Sequence, residues 1–128
     1  MTGLYLVAAE LSNQGFIACP TSRSAQAADL LVTDTHCRKT FAVQVKTNAR
    51  TFNFWLVNDK TQELRSDTLV YALVNLTPKG TEYYLVPSNV VADTVIVSKE
   101  TKTRNQTWYS VYRKDAVSYR DNWAIFSK

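Results

Sequence analysis

The sequence predicts an α/β protein in the broad sense: a mixed α+β sheet flanked by helices, with all 128 residues forming one domain. Three observations carry that expectation. Leu4, Val7, Ala8 and Leu11 recur at helical spacing near the start of the chain. Runs rich in β-branched and aromatic residues follow at 29–33, 40–47, 52–57, 68–76 and 82–86. Polar or Gly/Pro-containing stretches separate these runs, and no low-complexity linker or internal repeat divides the chain.

Thr2 can cap the first helix, which the apolar spacing extends to about Asn13, with Gly15 placed to end it. Phe16 to Cys19 reads as a short strand stopped by Pro20, and residues 20–28 read as a loop. Asp29 to Thr33 and Thr40 to Thr47 are strands joined by the polar turn Asp34 to Lys39, a hairpin pattern. Phe52 to Val57 is a further strand, and Asn58 to Asp67 is polar. Thr68 to Leu76 is apolar enough to be a buried strand. Pro78-Lys79-Gly80 turns the chain into a strand over 82–86. Ser88 suits the N-cap of a helix reaching about Val97, and Asp115 to Trp123 reads as a last helix.

Composition narrows the classes. Hydrophobic residues make up 45% of the chain, enough for a core at this length. No apolar run is long enough to span a bilayer, and Met1 to Glu10 lacks the basic start of a secretory signal, so a cytoplasmic location is expected. Cys19 and Cys37 have no metal-ligand spacing; they read as two free thiols, with one bridge between them as the alternative. Lone His36 falls in a polar turn and reads as exposed. The net charge of +4 comes entirely from residues 99–128, where seven Lys/Arg face three acids. That asymmetry suits a polyanionic partner, though from charge alone a solvated basic surface is the plainer explanation.

The residues that can carry chemistry lie on the hairpin. Side chains alternate along Phe41-Ala42-Val43-Gln44-Val45-Lys46-Thr47, so Phe41, Val43 and Val45 face the core. Gln44 and Lys46 then share the other face, about 7 Å apart. If Asp29 sits at the same end of the paired strands, a carboxylate, an amide oxygen and an ammonium converge, and Glu10 can join them from the first helix. Such a set suits phosphodiester hydrolysis. Asp29, Gln44, the Val45 carbonyl and Glu10 offer the oxygen ligands that Mg²⁺ or Mn²⁺ prefers, and Lys46 can steady the attacking water or the developing charge.

Asp29, fourteen residues, then Gln44-x-Lys46, after a helix bearing Glu10, resembles the PD-(D/E)XK nuclease superfamily. The likeness is to its Holliday-junction-resolvase-like and restriction-endonuclease-like members. The segments 3–11, 28–32, 84–88 and 119–123 extend the resemblance over most of the chain. It implies a restriction-endonuclease-like core and a Mg²⁺- or Mn²⁺-dependent DNA endonuclease, with Asp29, Gln44 and Glu10 at the metal, Lys46 catalytic, and a homodimer. Two departures stand out: Ala28 replaces the proline of the motif name, and Gln44 replaces an acid, removing one negative charge from the site. A catalytically inactive nucleic-acid-binding or protein-interaction module on the same fold is the alternative. Arg23 and Ser24, Lys102 and Arg104, and Arg113 and Lys114 are the expected phosphate contacts. Trp108, Tyr109 and Tyr112 lie among those bases; they can stack on unpaired nucleotides or belong to a half-buried strand.

Overall fold

The computed structural model describes residues 2–21, 28–100 and 106–127. Helix α1 (Thr2–Asn13) buries Gly3, Val7 and Leu11, one residue per turn. Gly15, at φ 90°, makes the left-handed turn that closes it. Three strands follow: β1 (Ile17–Pro20), β2 (Leu30–Thr33) and β3 (Thr40–Asn48). The expected hairpin forms, pairing Leu30 with Val43 and Val32 with Phe41. Asp34 organises its turn by accepting N–H bonds from His36 and Arg38, and the Arg38 N–H above all holds the Asp34 carboxyl below its ordinary range.

β3 also pairs in parallel with β5 (Leu69–Thr77), and parallel neighbours need a crossover. Strand β4 (Phe54–Val57) and a short 3-10 turn, Asp59–Gln62, supply it. β6 (Gly80–Pro87) returns antiparallel to β5, completing a five-stranded sheet ordered β1-β2-β3-β5-β6. A second sheet, β4-β8-β7, is built from β4, β7 (Ile96–Glu100) and β8 (Gln106–Tyr112). Helices α2 (Ser88–Thr94) and α3 (Arg113–Ala116) flank it.

Both faces of the large sheet are covered, so β5 reads as an almost unbroken apolar run. On one face Val7 and Leu11 of α1 pack with Val43, Val70, Ala72 and the C-terminal Phe126. On the other, Trp55 from β4 packs with Tyr71, Leu73, Tyr84 and Val91. At Gly3 the helix lies so close to β3 that an added Cβ would overlap the Thr47 hydroxyl. Gly3→Ala is therefore expected to cost about 1–3 kcal/mol in urea unfolding. Thr47→Ala should restore part of that loss in the double variant.

Three sequence expectations change. The helix at Ser88 ends at Thr94 rather than Val97, because the β-branched run Val95-Ile96-Val97 enters β7 and pairs with β8. Ser88 is not a cap; it is buried, donating to the Ser66 carbonyl and accepting from the Ser66 N–H. The helix expected from Asp115 to Trp123 breaks into α3 and two 3-10 turns, Val117–Tyr119 and Trp123–Ser127. Arg120 bridges to Tyr84 there, and Asp121 turns at φ 52°. Cys19 and Cys37 are exposed free thiols. Among the described residues no helix is long and apolar enough to cross a membrane.

Candidate active site at the open edge of β3

β2 begins one residue after Asp29 and pairs with β3 only as far as Val43, so among the described residues Gln44 to Asn48 have no strand partner on that side. Asp29 fills the first gap. Its N–H donates to the Val43 carbonyl at 2.8 Å, and its Oδ2 accepts from the Val45 N–H at 2.8 Å. The two contacts bracket Gln44, and the carboxylate stands in for the next rung of the ladder. Main-chain groups two residues apart in a strand point the same way, so the Val45 carbonyl turns toward Asp29 as well. Asp29 Oδ1 has no protein hydrogen bond among the described residues.

Two spaces meet at this edge. A recess of about 140 Å³ is lined by Leu4, Asp29, Val45 and Thr47. A larger groove of about 330 Å³ is lined by Lys46, Thr47, Asn48, Phe52, Phe54, Trp55 and Leu56. Thr47 is a wall of both. Gln44 and Lys46 project on the face of β3 opposite Val45 and Thr47, as the alternation requires, and the two Asp29 bonds reach the strand edge on either side of Gln44. The shared face expected of Gln44 and Lys46 is thus the one the alternation gives them. Gln44 is half-buried, lies across from Tyr71 in register, and lines neither space.

Glu10 stands apart from this group. It accepts from Gln14 Nε2 at 2.9 Å on the helix surface. It also lies near Tyr83 of β6, whose phenol is pushed up first by burial and then by the Glu10 charge. Leu4 and Glu10 are six residues apart, about 120° around the helix and about 9 Å along it. The flank of α1 that meets Asp29 therefore carries Leu4, an apolar residue, and the flank carrying Glu10 meets β6.

Arg113 and Lys114 line a third space of about 640 Å³ with Asn53, Phe54, Tyr112 and Val117. Arg113 is held by Glu82 at 3.2 Å and by the Tyr84 hydroxyl at 3.1 Å. Arg23, Ser24, Lys102 and Arg104 lie outside the described residues. Trp108, Tyr109 and Tyr112 belong to β8, the half-buried-strand reading. The sequence reading passed over Asn75, which is fully buried on β5 and bonded to Asn48 and to the Phe52 carbonyl. A lone amide in the apolar run Leu69–Thr77 was the available signal.

The donor types at the edge are hard oxygens: Asp29 Oδ1, the Val45 carbonyl and the amide of Gln44, the residue that the two Asp29 bonds bracket. They fit a divalent cation that keeps several waters. With one carboxylate, they fit it weakly. Among the described residues no three His, Cys, Asp or Glu cluster as a metal site.

No family model and no curated sequence matches the chain. Solved structures do. The Holliday junction resolvase Hjc of Archaeoglobus fulgidus superposes with a TM-score of 0.54 at 14% identity, over 89% of this chain and 91% of the resolvase. The bacterial homing endonuclease I-Ssp6803I superposes with a TM-score of 0.58 at 17% identity, over 98% of this chain and 87% of the endonuclease. Element order, sheet pairing and these superpositions agree: the chain shares the fold of these two nucleases, a restriction-endonuclease-like fold.

Proposed function

We infer that this protein is a metal-dependent endonuclease that hydrolyses phosphodiester bonds in DNA, with its site at the open edge of β3. The carrying observation is the pair of bonds by which Asp29 caps the unpaired strand edge at Val43 and Val45, next to Lys46 across Thr47. Asp29 Oδ1, the Val45 carbonyl and the Gln44 amide oxygen would hold Mg²⁺ or Mn²⁺. When bound, such an ion supplies charge neutralisation at the phosphate and activation of water. The Val45 N–H fixes the Asp29 carboxylate, so its free oxygen is held in place before the ion arrives. Lys46 brings an ammonium from the groove side, where it can steady charge on the non-bridging oxygens as the water oxygen bonds phosphorus and the ester bond breaks.

Supercoiled, branched and single-stranded DNA, each incubated with Mg²⁺ or Mn²⁺, tests this reading. Cleavage should need the metal and should fall in Asp29→Asn and Lys46→Ala. Equal cleavage by the variants and the unaltered chain would sink it.

Leu4 favours a second reading, a binding module without turnover, because the helix adds no carboxylate to the recess. The two readings part on one substitution. If the edge is a metal site, Leu4→Glu should tighten Mn²⁺ binding by about tenfold in calorimetry, since ligand charge sets much of the affinity. If it is not, Leu4→Glu should leave Mn²⁺ binding undetected.

A further inference from the structure

The groove beside Lys46 does not end there. Phe54 lines both the Lys46 groove and the larger space at Arg113 and Lys114, so the two run together past its ring. Phe52, Phe54 and Tyr112 form a row along this path, with centroids 6.3 Å and 6.0 Å apart. Phe52 is 40% exposed and Phe54 39% exposed. Exposed aromatic rings on a mobile loop would be unremarkable, but this loop is tied down. The carbonyls of Phe52, Asn53 and Phe54 each accept a hydrogen bond, from Asn75 Nδ2, Arg113 N and Asn48 Nδ2 respectively. Asn75, fully buried, also accepts from Asn48 at 3.0 Å. The rings are thus presented rigidly, which spares a ligand the cost of ordering them.

The path is also cationic. Lys46 and Arg50 stand at one end, with the Arg50 guanidinium over the Phe52 ring at 5.4 Å, and Arg113 and Lys114 stand at the other. Among the described residues no Asp or Glu lines either space. Glu82 holds Arg113 at 3.2 Å and Arg120 at 3.9 Å, and Arg120 also lies 4.0 Å from Asp121, so the excess positive charge of the path rests on Lys46, Arg50 and Lys114. A second copy of the chain docked face to face here would oppose the same cations. A polyanion with flat apolar rings would meet both features at once.

We propose that the Lys46–Phe54–Lys114 path seats an unpaired nucleic-acid strand, with Phe54 as a platform on which a base stacks and Lys46, Arg50 and Lys114 following the phosphates. A duplex keeps its base faces stacked inside and offers the rings nothing, whereas an unpaired strand offers a π-face at every residue. The proposal rests on the nuclease reading and names its substrate class: strands that are single, looped out or frayed.

Binding in EDTA separates the two claims, because no metal-dependent cleavage enters the readout. Fluorescent 20-nucleotide single-stranded DNA, single-stranded RNA and duplex DNA of one sequence are titrated by anisotropy. At least one single strand should bind about tenfold or more tighter than the duplex, and the DNA and RNA arms report which sugar is preferred. Phe54→Ala should weaken that binding by on the order of tenfold, and Phe54→Trp should keep it. Lys114→Ala should lower the slope of log affinity against log salt by about 0.7. Both side chains are exposed, and a thermal melt confirms that the variants fold. Duplex binding as tight as either strand, or unchanged binding in Phe54→Ala, overturns the proposal. So does sedimentation showing a dimer that Phe54→Ala dissociates, because the row would then be an interface between copies. Absence of metal-dependent cleavage would defeat only the nuclease reading.

Discussion

Asp29→Asn should lower metal-dependent cleavage by at least about a hundredfold, while its melting temperature stays within about 5 °C of the unaltered protein. The asparagine keeps an amide oxygen that can accept from the Val45 N–H, so the edge of β3 stays capped. What it loses is the negative charge, the only one in the recess among the described residues. Asp29→Ala is the less informative variant, because it also deletes the hydrogen bond that replaces a ladder rung, worth about 1.5–3 kcal/mol for a charged acceptor. Lys46→Ala should lower turnover by about 10²–10³-fold, the usual cost of removing one donor aimed at developing charge. Lys46→Arg should recover little, since a planar guanidinium does not replace a compact ammonium. Cleavage rates beside melting curves distinguish these outcomes from simple unfolding.

Trp55→Ala should cost about 3–5 kcal/mol in denaturant unfolding. Trp55 is 1% exposed and fixes the second sheet to the first in two ways. Its indole N–H donates to the Val74 carbonyl at 3.0 Å, and its ring meets Tyr84 edge-on at 5.4 Å. Truncation leaves a cavity between β4 and β5 and removes the indole partner of Val74. Trp55→Phe should recover most of the packing and none of the hydrogen bond, and so fall between. The effect reaches the site, since Trp55 also walls the Lys46 groove.

Much of this architecture was legible in the residues. The spacing of Val7 and Leu11 marks the buried stripe of α1, and both are fully buried. The alternation along β3 assigns Val43 to the core and Gln44 and Lys46 to the opposite face. Other parts depend on contacts far apart in sequence. The β-branched run Val95-Ile96-Val97 suits a strand, but the partner β8 that draws it out of the helix lies further along the chain. Residues 115–123 read as a helix from the acidic cap at Asp115, yet the Arg120–Tyr84 bridge and the left-handed turn at Asp121 break it. Asp29 was found as a residue but not as a strand-edge cap, because that role follows from β2 ending at Leu30. Glu10 was the only acid on the helix and drew attention for that reason. Which flank of α1 meets the Asp29 recess is decided by packing against the sheet, and that flank carries Leu4.

The site stands or falls with a divalent cation at the unpaired edge of β3. Crystals soaked with Mn²⁺ and examined by anomalous diffraction test it directly. The account expects one strong peak bridging Asp29 Oδ1 and the Val45 carbonyl, at about 2.0–2.4 Å from each, that vanishes in Asp29→Asn. A peak elsewhere on the chain, or a featureless edge at saturating Mn²⁺, would contradict it.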